Sequence, residues 1–75
     1  MKELVETIAK ALVNNPDAVV VTERVTEKET FLSLSVDPAD MGKVIGKQGR
    51  IAKAIRTVLK AQAIREDKRV TLDID

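Results

Sequence analysis

Neither cysteine nor histidine occurs anywhere in the chain, and that absence governs what it can fold into. Disulfides, thiolate chemistry and cysteine-based metal sites are removed together. With histidine go the usual zinc ligand and the commonest general base. A chain of 75 residues is then left without a covalent or metal staple. It must stand on one thin apolar core, since a domain this small buries only about 60% of its unfolded surface. Hydrophobic residues at 44% and charged residues at 33% are the composition of a soluble globular domain, not of a disordered tail. A single domain over residues 1–75 is expected, with no room for separate catalytic and substrate units.

Local periodicity sets the order of elements. From Lys2 to Val13, Leu4, Val5, Ile8 and Leu12 recur at helical spacing. Asn14-Asn15-Pro16 stops that helix, because proline cannot continue it and asparagine tolerates the left-handed cap. Ala18 to Thr26 is rich in β-branched residues and reads as a strand, with Glu27-Lys28 as a hairpin tip. Thr30 to Val36 alternates, Leu32, Leu34 and Val36 pointing one way and Phe31, Ser33 and Ser35 the other. Asp37-Pro38-Ala39-Asp40 is a helix start: Asp37 can cap free N–H groups, Pro38 suits the first position, and Asp40 adds favourable charge. Gly42 weakens this helix and Gly46 ends it.

A second helix runs from about Gly49 to Ala63, with Ile51, Ala54, Ile55, Val58 and Leu59 as its expected core stripe. Glu66-Asp67-Lys68 is a polar turn, and Arg69 to Ile74 a last strand. The order helix-strand-strand-helix-helix-strand predicts an α+β domain, three helices packed on one face of a three-stranded sheet. Which hairpin strand receives the last one is left open by the pattern.

The net charge of +1 conceals a strong asymmetry. Residues 1–40 hold four basic and eight acidic side chains, a balance of −4. Residues 41–65 hold seven basic side chains and no acid: Lys43, Lys47, Arg50, Lys53, Arg56, Lys60 and Arg65. Local field rather than total charge attracts phosphate, so this window marks a nucleic-acid-binding segment.

Within it, Gly46-Lys47-Gln48-Gly49 joins two helices. Glycine lacks Cβ, so a sugar-phosphate backbone can approach the peptide closely. The turn ends at a helix N-terminus, where free N–H groups and the helix dipole favour a phosphate. Lys47 and Arg50 add mobile positive charge. A P-loop is excluded: Gly42 and Gly46 enclose three residues instead of four, and Gln48 stands where a magnesium-binding hydroxyl belongs. The Gly42–Gly46 spacing also matches GxxxG, but no apolar 20-mer surrounds it.

Val44-Ile45-Gly46-Lys47-Gln48-Gly49-Arg50, followed by Ile51-Ala52-Lys53-Ala54-Ile55-Arg56, resembles the signature of a KH domain. Over essentially its whole length the chain is similar to the small stand-alone bacterial KH proteins of the KhpA family, including the helix-first order of the type II KH fold. The resemblance implies a groove for about four nucleotides, clamped by the GxxG loop. It also implies an RNA chaperone or post-transcriptional role in cell-envelope and cell-shape control, with a KhpB-type KH protein as partner.

The expected RNA contacts are Lys43, Val44, Ile45, Gly46, Lys47, Gln48, Gly49, Arg50 and Lys53. Val44 and Ile45 are candidates for an aliphatic floor under the bases, because Phe31 is the only aromatic residue and aromatic stacking platforms are ruled out. Arg50, Lys53, Arg56 and Lys60 share the helical arc opposite the apolar stripe, and Lys60 and Arg65 lie too far from the loop to be assigned. Ile64 falls on that polar arc, near Ala61, and the two form a candidate self-complementary patch.

No catalytic residues, metal, cofactor or small-molecule substrate are expected. The carboxylates Asp37 and Asp40 are explained as helix-start residues, and no nucleophile–base pair accompanies them. The competing reading is a dimerising interaction module whose RNA binding is weak or depends on a partner KH protein. A start without an apolar signal core and the lack of an 18-residue apolar run suggest a cytoplasmic protein without membrane insertion.

Overall fold

The computed structural model describes residues 1–75 and contains the expected elements in the expected order: α1 (Lys2–Leu12), β1 (Val20–Val25), β2 (Glu29–Ser35), α2 (Met41–Ile45), α3 (Arg50–Arg65) and β3 (Arg69–Ile74). Helix α1 buries Val5 and Ala9 together with Val13 just beyond it, one stripe at a spacing of four. It ends because Val13 turns extended; no asparagine takes up a left-handed cap, since Gln48 and Asp67 are the two non-glycine residues with positive φ. Pro16 then opens a short 3-10 turn to Ala18, which delays β1 to Val20.

Thr26 closes the hairpin by exchanging bonds with Glu29: its N–H donates to the Glu29 carbonyl at 2.8 Å, and its hydroxyl accepts the Glu29 N–H at 3.0 Å. Strand β2 alternates as expected. Thr30, Leu32 and Leu34 are buried under the helices, while Phe31 faces the other way beneath the Arg24 guanidinium, 4.8 Å from the ring centre.

β2 is the central strand, antiparallel to β1 and parallel to β3, which settles the pairing the pattern left open. A parallel neighbour requires a long crossover, and α2 and α3 supply it. The core gathers Val5, Ala9, Val21, Leu32, Leu34, Val44, Ile55, Leu59 and Leu72 between the two layers.

The buried stripe of α3 is Ala52, Ile55, Leu59 and Ala63: Ile55 and Leu59 are as predicted, but Ala52 and Ala63 take the places expected for Ile51, Ala54 and Val58. The helix is rolled by roughly 80° from that reading, at 100° per residue. Val58 stays 47% exposed and Ala54 lies in solvent. The reason is steric: alanine at positions 52 and 63 lets the helix sit close to its neighbours. The Arg56 guanidinium fixes the roll, donating through Nε and Nη2 to the Leu72 carbonyl at 3.3 and 3.1 Å. No helix is long and apolar enough to cross a membrane.

Candidate nucleic-acid interface

The loop is built by backbone conformations that ordinary residues resist. Ile45 ends α2 and the Gly46 N–H closes on the Gly42 carbonyl at 2.8 Å. Gly46 then adopts φ 76° and ψ 175°, a region open essentially to glycine alone. Gln48 (φ 57°, ψ 25°) and Gly49 (φ 73°, ψ 16°) are both left-handed before α3 begins at Arg50. Successive N–H groups in such a turn form a concavity suited to an anion.

The two loop glycines are there for different reasons. A Cβ on Gly46 would meet Ile51 Cγ1 at 2.6 Å, whereas one on Gly49 would meet nothing within 4 Å. The missing side chain of Gly46 is therefore used internally, to seat Ile51. Only Gly49 leaves its Cα open to an approaching backbone.

Helix α3 starts without a side-chain cap and without an acid in its first turn, so its first N–H groups keep their affinity for negative charge. Lys47, Gln48, Arg50 and Lys53 are exposed around that end. The ion pairs of the molecule are Met1–Glu23, Lys2–Glu6, Lys10–Glu6 and Lys43–Asp40, which leaves Lys47, Arg50 and Lys53 without a carboxylate partner.

Two of the predicted contacts change character. Val44 is wholly buried at 0% exposure; it is a core residue and offers no surface to a base. Ile45 is half-buried beside the loop, as is Ile51, so the accessible aliphatic surface there comes from those two. Lys43 is held back from the loop by Asp40, its Nζ 3.2 Å from Oδ1.

Asp40 is itself a residue whose role the pattern missed. It is buried and accepts the Asn15 N–H at 3.0 Å, pinning the end of α1 to the start of α2. Asp37 is the actual cap, accepting the Ala39 N–H at 2.9 Å. The Asn15 N–H holds the Asp40 carboxyl below its ordinary value of 3.8; burial opposes this, and the Asn14 N–H and Lys43 add to the lowering. A depressed folded-state value means that the stabilisation is complete above the unfolded value and fades as pH falls through the folded one. Melting curves between about pH 5 and about pH 2 should show this loss in the wild type and a smaller loss in Asp40→Asn. Equal acid sensitivity of the two proteins would contradict the assignment.

Beyond the loop, Lys53, Arg56 and Lys60 follow α3 alongside β3 to a groove of about 660 Å³. Leu59, Ala63, Ile64, Val70 and Leu72 form its apolar lining, and Lys60, Lys68 and Arg69 its basic rim. Lys60 had no assignable place in the linear reading, and Lys68 and Arg69 belong to a segment that is acidic overall. The spacing of Lys53, Arg56 and Lys60 on one arc was the only linear signal of this path.

A glycine-bounded turn leading into the open N–H groups of a helix, on three helices backed by a mixed three-stranded sheet, defines a KH-type domain. The model of the KhpA/KhpB KH domain matches residues 2–74, and the chain belongs to that family. It is 64% identical to the RNA-binding protein KhpA of Clostridium acetobutylicum, with 99% of each chain covered. The protein of the same name from Caldanaerobacter subterraneus is 62% identical at the same coverage. That of Aquifex aeolicus is 55% identical over 99% of this chain and 94% of its own. No solved structure matches the chain significantly.

Proposed function

We infer that this chain binds single-stranded RNA without turnover, holding the sugar-phosphate backbone at Gly46-Lys47-Gln48-Gly49. The observation that carries this reading is the uncapped, acid-free start of α3 beside Lys47 and Arg50, neither of which has a carboxylate partner. Ile45 and Ile51 are the aliphatic surface for a base, and Lys53 continues the contact along α3. The finer role, a cytoplasmic RNA chaperone or post-transcriptional regulator in cell-envelope and cell-shape control, rests on the family resemblance.

Salt dependence tests it. Contact with three to four phosphates on a single strand gives a log–log slope of roughly −2 to −3. Arg50→Ala should make the slope shallower by about 0.7; Lys43→Ala should change it less, because Asp40 already neutralises that ammonium. A slope near zero in the wild type would overturn the reading.

Association with a second KH chain is a further part of the proposal, either another copy or a KhpB-type protein. Ile64 supports it: the side chain is 68% exposed, on the polar arc where helical geometry puts it, with Ala61 also in solvent. Ile64→Asp should convert a dimer to a folded monomer, since burying an unpaired carboxylate in that contact is costly. Sedimentation of the wild type as a monomer at tens of micromolar, or a variant that still dimerises, would refute the patch.

A further inference from the structure

The far end of the groove is a candidate anion site in its own right. Helix α3 ends in a Schellman turn: Asp67 is left-handed at φ 56°, the Lys68 N–H donates to the Ala63 carbonyl at 2.8 Å, and the Asp67 N–H to Ile64 at 3.1 Å. This turn reverses the chain so that Lys68 and Arg69 arrive beside Lys60 and Ile64. An anion here and a second chain on Ile64 compete for one surface. The Arg69 N–H is anchored in addition to the Lys28 carbonyl at 2.8 Å, which brings the hairpin tip to the same rim. Lys60, Lys68 and Arg69 therefore line one opening, and Lys28 joins Lys68 and Arg69 at a second depression beside it. Glu29 is the carboxylate at the first opening and Asp67 the one at the second, and neither lies within 4.0 Å of a cation. A folded surface that gathers several cations without pairing them holds an anion at low cost.

We propose that Lys60, Lys68 and Arg69 form a second phosphate subsite, engaged by the same nucleic-acid strand whose backbone the GxxG loop holds. The proposal rests on the RNA-binding reading above and extends it from a loop contact to a two-point clamp. From Gly49 to Lys60 is eleven residues of helix, about 16 Å at the usual rise. A strand stacked at about 3.4 Å per nucleotide crosses that distance in about five nucleotides. The cations of Lys53 and Arg56 line the way, and the Arg56 guanidinium is already committed to the Leu72 carbonyl, so it braces the wall between the two points. The footprint is therefore longer than the four nucleotides that a GxxG loop clamps alone. Oligonucleotides of about four residues reach the loop only; those of about ten reach both points.

The test compares uridine oligomers of about four and about ten nucleotides by fluorescence anisotropy across a salt series. For the wild type, the longer oligomer should give a salt slope steeper by about 1.4, the release expected for two further phosphates. In Lys60→Gln/Lys68→Gln/Arg69→Gln the two slopes should coincide. Binding of the short oligomer should be unchanged, and binding of the long one weaker by about tenfold. The slope is the decisive readout, because extra registers on a longer oligomer raise affinity without changing it. Lys60→Glu, an exposed single change, repeats the comparison if the triple variant melts early.

A variant that weakens both oligomers equally would overturn the subsite, making these cations a general field. So would a wild type whose slope does not depend on length. Failure of the underlying RNA reading looks different: neither oligomer binds the wild type, or the short one is indifferent to charge reversal in the loop.

Discussion

Replacing Lys47 and Gln48 together by Asp is expected to weaken RNA binding by at least about thirtyfold at moderate salt while the melting temperature stays within a few degrees. The change shifts the net charge of these two positions from +1 to −2, turning a cation and a neutral amide into two carboxylates. These would face the phosphate proposed to sit on the Gly49 turn and the first N–H groups of α3. The fold should tolerate it because both side chains are exposed, both glycines remain, and Asp is among the residues that accept the left-handed conformation of position 48. Circular dichroism would confirm the fold, and anisotropy with a short oligonucleotide would report the binding. Unchanged affinity in a folded variant would remove the loop from the site.

The second large effect concerns stability. Gly46→Ala should lower stability by about 3 kcal/mol or more, from strain in a glycine-only region of backbone space and the clash with Ile51. In a domain of this size that corresponds to a loss of more than about 10 °C in melting temperature. Gly49→Ala should cost only about 1 kcal/mol, the ordinary penalty of a left-handed residue with a side chain, because its Cβ would enter open space. Thermal denaturation of the two single variants decides it. Equal losses would mean that the Gly46–Ile51 contact does not constrain the loop.

These two variants also separate what was legible in the chain from what was not. The loop as a glycine-bounded turn between two helices could be read directly, because its signals are local: glycines at fixed spacing, a helix start and adjacent cations. Nothing local distinguishes Gly46 from Gly49. The difference appears only once Ile51 is packed one turn into α3, against the space a Cβ would need.

The same holds for the side chains around the loop. Lys43 stands in the basic window like its neighbours, yet folding brings it to a buried carboxylate three residues away that the end of α1 already holds. Val44 and Ile45 are equivalent as sequence, and the roll of the short α2 buries one completely and leaves the other at the surface. Val58 outranks Ala63 by hydrophobicity, yet Ala63 is inside, since a small side chain permits the approach that a branched one resists.

What the sequence determined by itself was everything carried by short-range periodicity and chemistry. This includes the six elements in order, the in–out alternation of β2, the hairpin tip, the acid-free basic window and the turn at Gly46–Gly49. Each depends on residues within a few positions of one another, where backbone geometry leaves few choices. The tertiary structure decided the rest. It placed β3 parallel to β2, turned α3 about its own axis, and brought Lys68 and Arg69, from an acidic stretch of chain, beside Lys60. Those outcomes depend on how whole surfaces fit against each other, and a packed core selects among them by volume and contact, which no single residue type announces.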